Sequence, residues 1–287
     1  MEIKFENFME SLNFLIPVNN IINLEQVEWI EPVGLTVVKA YLEYFKLNNN
    51  LVEIIMPKNN NVKKYLEVMN YNEYNKKSTY VPLEIVKDIS VDKVSNEISD
   101  KILLQENFIN LNEDDYKDAS KYLKYMISEL LNNAIQHSYS KIGAVASAQY
   151  FSSQNKIQVS IVDKGIGFLN SLKNKYNLSN ELDALNKSLE KEVTGATGIY
   201  NSSINNAGYG LFVLKEIIKI YKGQLLMISN NGCLLIDRNG NIYNNILDYK
   251  YYGTCVSFEL YGNFYGYEFN EFFENFIYPS ENQADIF

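Results

Sequence analysis

The sequence predicts an α/β protein with a small N-terminal unit and a larger C-terminal region. Strand-like segments alternate with helical segments between about residues 14 and 73, and this alternation favours a layered α/β arrangement. A long amphipathic helix over 115–138 is followed by strands with alternating apolar residues. We expect an α/β domain over 1–80, a helical connector over 81–114, a second α/β domain over 115–262 and an aromatic, acidic tail over 263–287.

Two strands and two helices are predicted in the N-terminal unit. The strands are IINLEQVEWI and LVEIIMP, the second of which is stopped by Pro57. The helices are TVVKAYLEYFK and NVKKYLEVMNY. The polar stretch that follows contains the short apolar pieces VPLEIV and KILL, and we interpret it as a connector with one or two helices.

The second region has the clearer periodicity. Its long helix carries one apolar stripe, and Phe168–Asn206 is irregular except for a short helix around Leu185. The other predicted elements are strands Ala144–Phe151, Lys156–Val162, Gln224–Ser229, Gly232–Ile236 and Tyr252–Leu260, a helix Gly210–Tyr221 and a hairpin turn at Arg238–Asn241.

Composition restricts the classes of function. Hydrophobic residues make up 46% of the 287 residues, which is enough for a sizeable core. The net charge of −9, without a basic cluster, argues against binding to nucleic acid or anionic membranes. Two cysteines outside any CxxC pair and one histidine argue against structural zinc. With no signal-peptide pattern and no long apolar run, we expect a cytoplasmic protein.

Polar residues gather along one edge of the long helix. Glu129, Asn133 and His137 are spaced four residues apart, and Gln136 falls in the same arc beside the apolar stripe. A carboxylate there can accept a proton from water, and an amide oxygen can bind Mg²⁺ beside phosphates. An ordinary polar flank on an amphipathic helix would give the same pattern.

The segment VSIVDKGIG places a carboxylate at the end of a strand. Asp163 has the same parity as the apolar residues Val159 and Ile161, so it points to the core face and needs a donor. Gly165 and Gly167 allow a sharp turn and close approach of a ligand to the backbone. A simple strand-ending turn is the alternative.

Glycines also open a second amphipathic helix, in NAGYGLFVLKEIIKIYKG. Free N–H groups at such a helix start can seat phosphates, here around Gly208, Gly210 and Leu211. A dinucleotide-binding fingerprint is excluded, because the preceding strand and the third glycine are missing. A loop with a helix cap remains an alternative. In YYGTCVSFEL, Gly253 and Thr254 begin the last strand.

In this order and spacing the four segments resemble the N, G1, G2 and final Gly-Thr boxes of the GHKL (Bergerat-fold) ATPases. That superfamily includes gyrase B, Hsp90, MutL and histidine kinases, and the resemblance covers about residues 115–260. It implies a two-layer α/β sandwich with a mixed sheet that binds ATP and Mg²⁺.

The resemblance also implies a role for each motif residue. Asn133 would bind Mg²⁺, and Asp163 would hold the adenine amine, with Thr254 near the base. Phe168–Asn206 would form an ATP lid hinged at TGATG and NSSINNAG. Gly165 and Gly167 would pass the base and sugar, while Gly208, Gly210 and Leu211 would seat the phosphates.

Glu129 indicates which branches of that superfamily the chain resembles. A glutamate at this place resembles the gyrase-type ATPases and the anti-sigma serine kinases, in which it serves as general base. The run ELLNNAIQHS looks most like the anti-sigma branch. His137 lies inside the nucleotide box, so the chain has no phosphoacceptor histidine on a preceding helix. A self-contained histidine kinase is therefore disfavoured, whereas action on the histidine of a separate protein stays an alternative. Glu129 is the catalytic candidate.

The flanking regions bear on partners. Residues 27–45 with IIMPKN and NVKKYLEVMNY resemble the STAS fold of anti-sigma antagonists, although Val33 replaces the phosphorylatable residue before the glycine. We therefore expect a protein partner that is STAS-like, sigma-factor-like or an effector. A homodimer is also compatible with the resemblance. The tail, with Phe269, Phe272, Phe273 and Phe276 at helical spacing, is expected to pack on its own domain or on a dimer partner.

Three functions fit these observations. The first is an Mg–ATP-dependent switch with ATP hydrolysis, and the second is a serine/threonine protein kinase of the anti-sigma type. The third is a nucleotide-binding scaffold with little turnover in a larger complex. Glu129 favours the first two over the third.

Overall fold

A computed structural model describes residues 1–70, 79–87, 91–195, 208–262 and 264–276. Across these ranges none of the helices is long and apolar enough to cross a membrane.

The N-terminal unit contains short strands and one long helix. Its elements are strands β1 (Glu2–Ile3), β2 (Ile21–Asn23), β3 (Trp29–Ile30) and β4 (Glu53–Ile55), with helices α1 (Phe8–Ser11), α2 (Pro32–Leu47) and α3 (Asn60–Asn70). β1 pairs with β3 and β2 with β4, both in parallel. The predicted single strand over 21–30 is thus two strands of different sheets, because the Val27 amide donates to the Leu24 carbonyl in a turn. Pro32 begins α2, where its missing N–H costs no hydrogen bond.

One seven-stranded sheet organises the rest of the described chain. Its strands are β5 (Tyr80–Val86), β6 (Ala144–Phe151), β7 (Lys156–Asp163), β8 (Gln224–Ser229), β9 (Gly232–Ile236), β10 (Ile242–Ile246) and β11 (Thr254–Tyr261). The order is β10-β9-β8-β11-β7-β6-β5, and every pairing observed in this sheet is antiparallel. The α/β sandwich is confirmed, but the parallel pairings of a mixed sheet occur only in the two small N-terminal sheets among the described residues. Hairpins β6–β7, β8–β9 and β9–β10 impose the antiparallel direction.

The segment predicted as a helical connector, 81–114, is partly a strand. VPLEIV forms most of β5, which pairs with β6 at the edge of the sheet and has a register irregularity between Val81 and Glu84. Pro82 lies at this irregularity, and an edge position is where a strand tolerates the missing N–H of proline. The following helices are α4 (Val91–Leu103) and α5 (Glu106–Ile109).

Helices pack on one face of the sheet, and the N-terminal unit packs on the other. The remaining helices are α6 (Glu113–Asn132), α7 (Gly167–Leu172), α8 (Glu181–Ser188), α9 (Gly210–Ile220) and α10 (Phe269–Phe276). Apolar residues of α4, α6 and α9 share a core with Ile157, Val159 and Ile161 of β7. Val162, of opposite parity, belongs instead to the core shared with α2. Alternation along β7 therefore divides its side chains between two cores, as a strand buried on both faces requires.

A buried charge cluster attaches the N-terminal unit to the sheet. The Lys156 amine lies 2.7 Å from a Glu259 oxygen and 3.4 Å from a Glu31 oxygen, and all three side chains are buried. Gln158 donates to both carboxylates, and its own oxygen accepts from the Val33 amide. Buried charges need such partners, because an unpaired ion in the core costs several kcal/mol. The start of α2 is consequently covered by the sheet.

The tail helix α10 packs on its own domain. Phe269 and Phe272 lie against Tyr122 of α6, and Phe269 and Phe273 lie against Tyr125, with ring centroids 5.0–6.1 Å apart. The prediction of intramolecular packing is confirmed for these three phenylalanines. Residues 277–287 lie outside the described part.

Candidate functional site

A cleft opens on the helical side of the sheet, between α6, the start of α9, and the adjoining ends of β7 and β11. It measures about 850 Å³ including its open mouth, a size that suits a small-molecule ligand. Eight of the nine predicted site residues line it: Glu129, Asn133, Asp163, Gly167, Gly208, Gly210, Leu211 and Thr254. Segments separated by more than 100 residues thus converge on one site.

Glu129 contributes a buried carboxyl group to this cleft. The residue is 3% exposed, and its Oε1 atom has no hydrogen-bond partner among the described residues. Burial raises the pKa of this carboxyl to about 8, because the charged form loses its hydration there. An unpartnered, desolvated carboxyl facing a cleft is typical of a general acid or base.

Helix α6 continues directly into a π-helical turn over Asn133–His137. Such turns concentrate at functional sites, and this one directs Asn133 and His137 into the cleft. Burial and the charge of Lys175 lower the pKa of His137, so the ring is neutral at pH 7. The helix stops at Tyr139, which has a left-handed φ of 55°. His137 therefore belongs to the wall of the cleft, as a neutral donor or acceptor.

Asp163 and Thr254 face each other on neighbouring strands. They are paired in the register of β7 and β11, and the Thr254 hydroxyl donates to Oδ2 of Asp163. Oδ1 accepts from the Gly165 amide at 2.7 Å. Burial raises the pKa of Asp163 to about 6, while these hydrogen bonds and the charge of Lys164 act in the opposite direction. Above this pKa the carboxylate is ionised and can accept a further donor from a ligand.

The two glycines after Asp163 differ in their surroundings. Gly167 lines the cleft with φ of +81°, and a Cβ there would lie 2.2 Å from Nδ2 of Asn230. Gly165 lies behind the wall, where a Cβ would lie 2.1 Å from the Ser138 carbonyl oxygen. Gly165 therefore permits the end of α6 to approach the strand end, whereas contact with a base and sugar was predicted. The reason is that the Ser138 carbonyl accepts from the Ile166 amide at 2.8 Å and draws the loop toward the helix.

The start of α9 lies directly beside Glu129. A Cβ at Gly210 would lie 1.9 Å from Glu129 Oε2, so glycine is required for this approach. Gly208 has φ of +82° and leads into the helix, whose first residues Gly210 and Leu211 line the cleft. Free N–H groups at this helix start favour anions such as phosphates.

The predicted lid is anchored more firmly than its sequence indicates. Glu181, at the start of α8, accepts from Ser229 at 2.6 Å, from Asn230 at 2.6 Å and from the Leu169 amide at 3.2 Å. These bonds fix α7 and α8 to the sheet. The Val193 amide donates to the Gly208 carbonyl at 3.1 Å, so the end of the described lid residues lies against the residues that precede α9. Most of TGATG and NSSINNAG lies outside the described residues.

Several residues that line the cleft were not named individually as site residues from the sequence, although all of them except Ser138 lie in the segment predicted as the lid. Ser138, Phe168, Ser171, Ser188 and Val193 line the cleft. Phe168 could have been found from its place after the second glycine of the G1 segment. The serines carry no spacing pattern, so the sequence holds no signal for them.

The donors of the cleft fit a magnesium nucleotide. The cleft contains one carboxylate with an oxygen that lacks a partner among the described residues, at Glu129, and a second one at Asp163. The Asn133 amide is of a chemical type that could bind a metal ion, and the glycine-lined helix start could bind phosphates. The fold and this donor set define a nucleotide-binding α/β sandwich.

A family comparison identifies the chain more closely. The profile of the histidine kinase-, DNA gyrase B-, and HSP90-like ATPases matches residues 118–261, half of the chain, and the chain belongs to that family. Membership implies ATP binding, generally with Mg²⁺, and a regulatory role in general terms. No curated protein matches the chain.

Proposed function

We propose that this protein hydrolyses Mg–ATP and acts as a nucleotide-controlled switch on a protein partner. The observation that carries the proposal is Glu129, whose buried carboxyl lies beside the helix start at Gly210 and whose Oε1 atom has no hydrogen-bond partner within the described part of the chain. A scaffold that only binds nucleotide has no need of such a group. Burying a carboxyl oxygen without a hydrogen-bond partner destabilises the fold, so its presence favours a catalytic role.

The chain's own residues would divide the work as follows. Asp163, supported by Thr254, would accept the amine of the base, and Asn133 would hold Mg²⁺ through its amide oxygen. The amides at the start of α9 would orient the phosphates. When bound, Mg–ATP supplies the phosphoryl group and a metal ion that neutralises charge on its oxygens. Glu129 would accept the proton of an attacking water, provided that it is ionised.

Phosphate release tests hydrolysis. Glu129→Gln keeps the shape of the side chain but cannot accept a proton, so we expect release to fall about 10²- to 10⁴-fold while Mg–ATP still binds. Glu113→Gln, an exposed change on the same helix, is the matched control and should leave release unchanged. Equal release by wild type and Glu129→Gln would refute the role of Glu129.

The anti-sigma resemblance supports a kinase as the second candidate. In that case Glu129 would accept the proton of a partner's serine or threonine hydroxyl instead of water. Incubation with γ-labelled ATP and a partner encoded next to this chain distinguishes the two. Label on the partner supports the kinase, and label found only in free phosphate supports the ATPase.

The STAS-like assignment of the N-terminal unit leads to a narrower proposal about partners. Val33 is fully buried, and its amide donates to Gln158 of the sheet. The position that would correspond to the STAS motif is therefore covered by the sheet of the same chain. We infer that a protein partner binds elsewhere on the surface, and that the N-terminal unit is a resident part of the ATPase fold.

A further inference from the structure

Lys164 connects the nucleotide cleft with the N-terminal unit. It follows Asp163 directly, but its side chain extends away from the cleft toward α2. Its amine lies 3.8 Å from the ring centroid of Tyr41 and 3.9 Å from that of Tyr251. The same amine donates to the Tyr251 carbonyl at 2.5 Å. A cation held between two aromatic faces and a carbonyl is fixed in one position.

Tyr41 completes the arrangement from the N-terminal unit. Its hydroxyl donates to the Tyr251 carbonyl at 3.2 Å, and the two rings meet edge to face at 5.8 Å. The Tyr251 carbonyl therefore accepts from both Lys164 and Tyr41. We call these three residues the Lys164 clamp.

The clamp holds the two chain segments that present the acceptors of the base. Lys164 adjoins Asp163, and Tyr251 lies three residues before Thr254. The segments are tightly apposed, because a Cβ at Gly253 would lie 2.2 Å from the Asp163 carbonyl oxygen. A change in the clamp must therefore shift Asp163, Thr254 or both.

The clamp also acts on the Asp163 carboxylate through the positive charge of Lys164. Burial raises the pKa of Asp163, and the positive charge of Lys164 opposes that rise. Burial lowers the pKa of the Lys164 amine to about 7, and the Asp163 charge opposes that change in turn. The Tyr41 and Tyr251 ring faces also favour the protonated amine. A charged Lys164 thus helps to keep Asp163 ionised as an acceptor.

We propose that Lys164 is a positioning residue through which helix α2 of the N-terminal unit sets the preference of the cleft for an adenine base. The proposal rests on the proposed function, because Asp163 must be the group that receives the base. Lys164 touches neither the base nor the phosphates. It acts through the positions of Asp163 and Thr254 and through the charge beside them.

Comparison of ATP with ITP isolates the contact in question. The hypoxanthine base of ITP has a carbonyl oxygen where adenine has its exocyclic amine, so the ratio of the two affinities reports the Asp163 contact. We expect Lys164→Met to lower this ratio about fivefold or more, as measured by calorimetric titration with each magnesium nucleotide. Lys250→Met is the matched control, since Lys250 lies 4.8 Å from the Tyr252 ring in the same loop but both residues are exposed.

Two further variants separate positioning from general stability. Tyr41→Leu removes the aromatic face from the N-terminal unit, and we expect the ATP-to-ITP ratio to fall in the same direction. Lys164→Arg keeps the cation and should retain most of the ratio. A purely structural role would lower the melting temperature in these variants without changing the ratio.

The outcomes of the titrations are distinct. If wild type prefers ATP and folded Lys164→Met and Tyr41→Leu keep the wild-type ratio, the positioning role is wrong while the nucleotide site stands. If wild type binds neither nucleotide, the proposed function fails and the inference fails with it. A fall in both variants, with Lys250→Met unchanged, supports the inference.

Discussion

Glu129 should make the nucleotide-free protein less stable as the pH rises, and replacing it should remove that dependence. The pKa of its carboxyl is raised from 4.5 to about 8 by burial. Between these values the unfolded chain has released the proton and the folded chain still holds it. The folded state therefore binds more protons, and its stability falls as pH rises through this window.

The size of this loss of stability follows from the interval between the pKa values of the unfolded and the folded protein. Above the ordinary pKa of 4.5, the free energy of unfolding of wild type falls by about 1.4 kcal/mol for each pH unit. At pH 7 this loss amounts to about 3 kcal/mol. The side chain introduced by Glu129→Gln is uncharged in both the folded and the unfolded protein, so this variant does not lose stability as the pH rises. The gain in free energy of unfolding of Glu129→Gln over wild type should be near zero at pH 4.5 and should increase toward pH 8.

Urea unfolding of the nucleotide-free full chain from pH 5 to pH 8 measures this gain. Glu113→Gln is the control, because Glu113 is exposed on the same helix and its pKa is lowered by Lys117 rather than raised. A difference between wild type and Glu129→Gln that stays constant with pH would refute the account of a desolvated carboxyl.

Three other perturbations follow from the same geometry. The kcat/KM for ATP should rise with pH up to about 8, as Glu129 ionises, and a profile flat from pH 6 to 9 would contradict its role as base. Gly210→Ala should lower kcat about 100-fold, because its Cβ would displace the Glu129 carboxyl; steady-state phosphate release measures this, and unchanged kcat would contradict the contact. Lys156→Met leaves two buried carboxylates without their cation and should cost about 3–5 kcal/mol of unfolding free energy. The exposed change Lys117→Met should have no comparable effect in the same denaturation assay.

The parts of the fold that are predictable from the sequence have strong periodicity. The α6 stripe and the alternation along β7 each fix which side faces the core, so the periodicity places Glu129 and Asn133 beside the stripe and Asp163 on the core face. Only the family resemblance joins these residues into one predicted site. β10 carries no such signal, since all five of its residues are exposed and none alternates with a buried neighbour. β5 is obscured by Pro82 and by polar flanks, which suit an edge strand.

Contacts distant in the sequence account for what could not be predicted. Glu31 stands in the sequence where the STAS phosphorylation motif would begin, yet it is a partner of Lys156, 125 residues away. The π-helical turn at Asn133 continues the helical period closely enough that spacing alone does not reveal it. Gly165 has the right spacing for a ligand contact, but the approach of the Ser138 carbonyl decides its place.

Calorimetric titration of Mg–ATP into the full chain tests the central claim most directly. We predict saturable binding to wild type and a loss of about tenfold or more in affinity for Asp163→Asn, because the amide cannot replace an ionised acceptor for the base amine. Exposed Asp114→Asn, in the first turn of α6, serves as the control and should bind as wild type does. Absence of binding to folded wild type, or equal binding by Asp163→Asn, would contradict the assignment of this cleft as the nucleotide site.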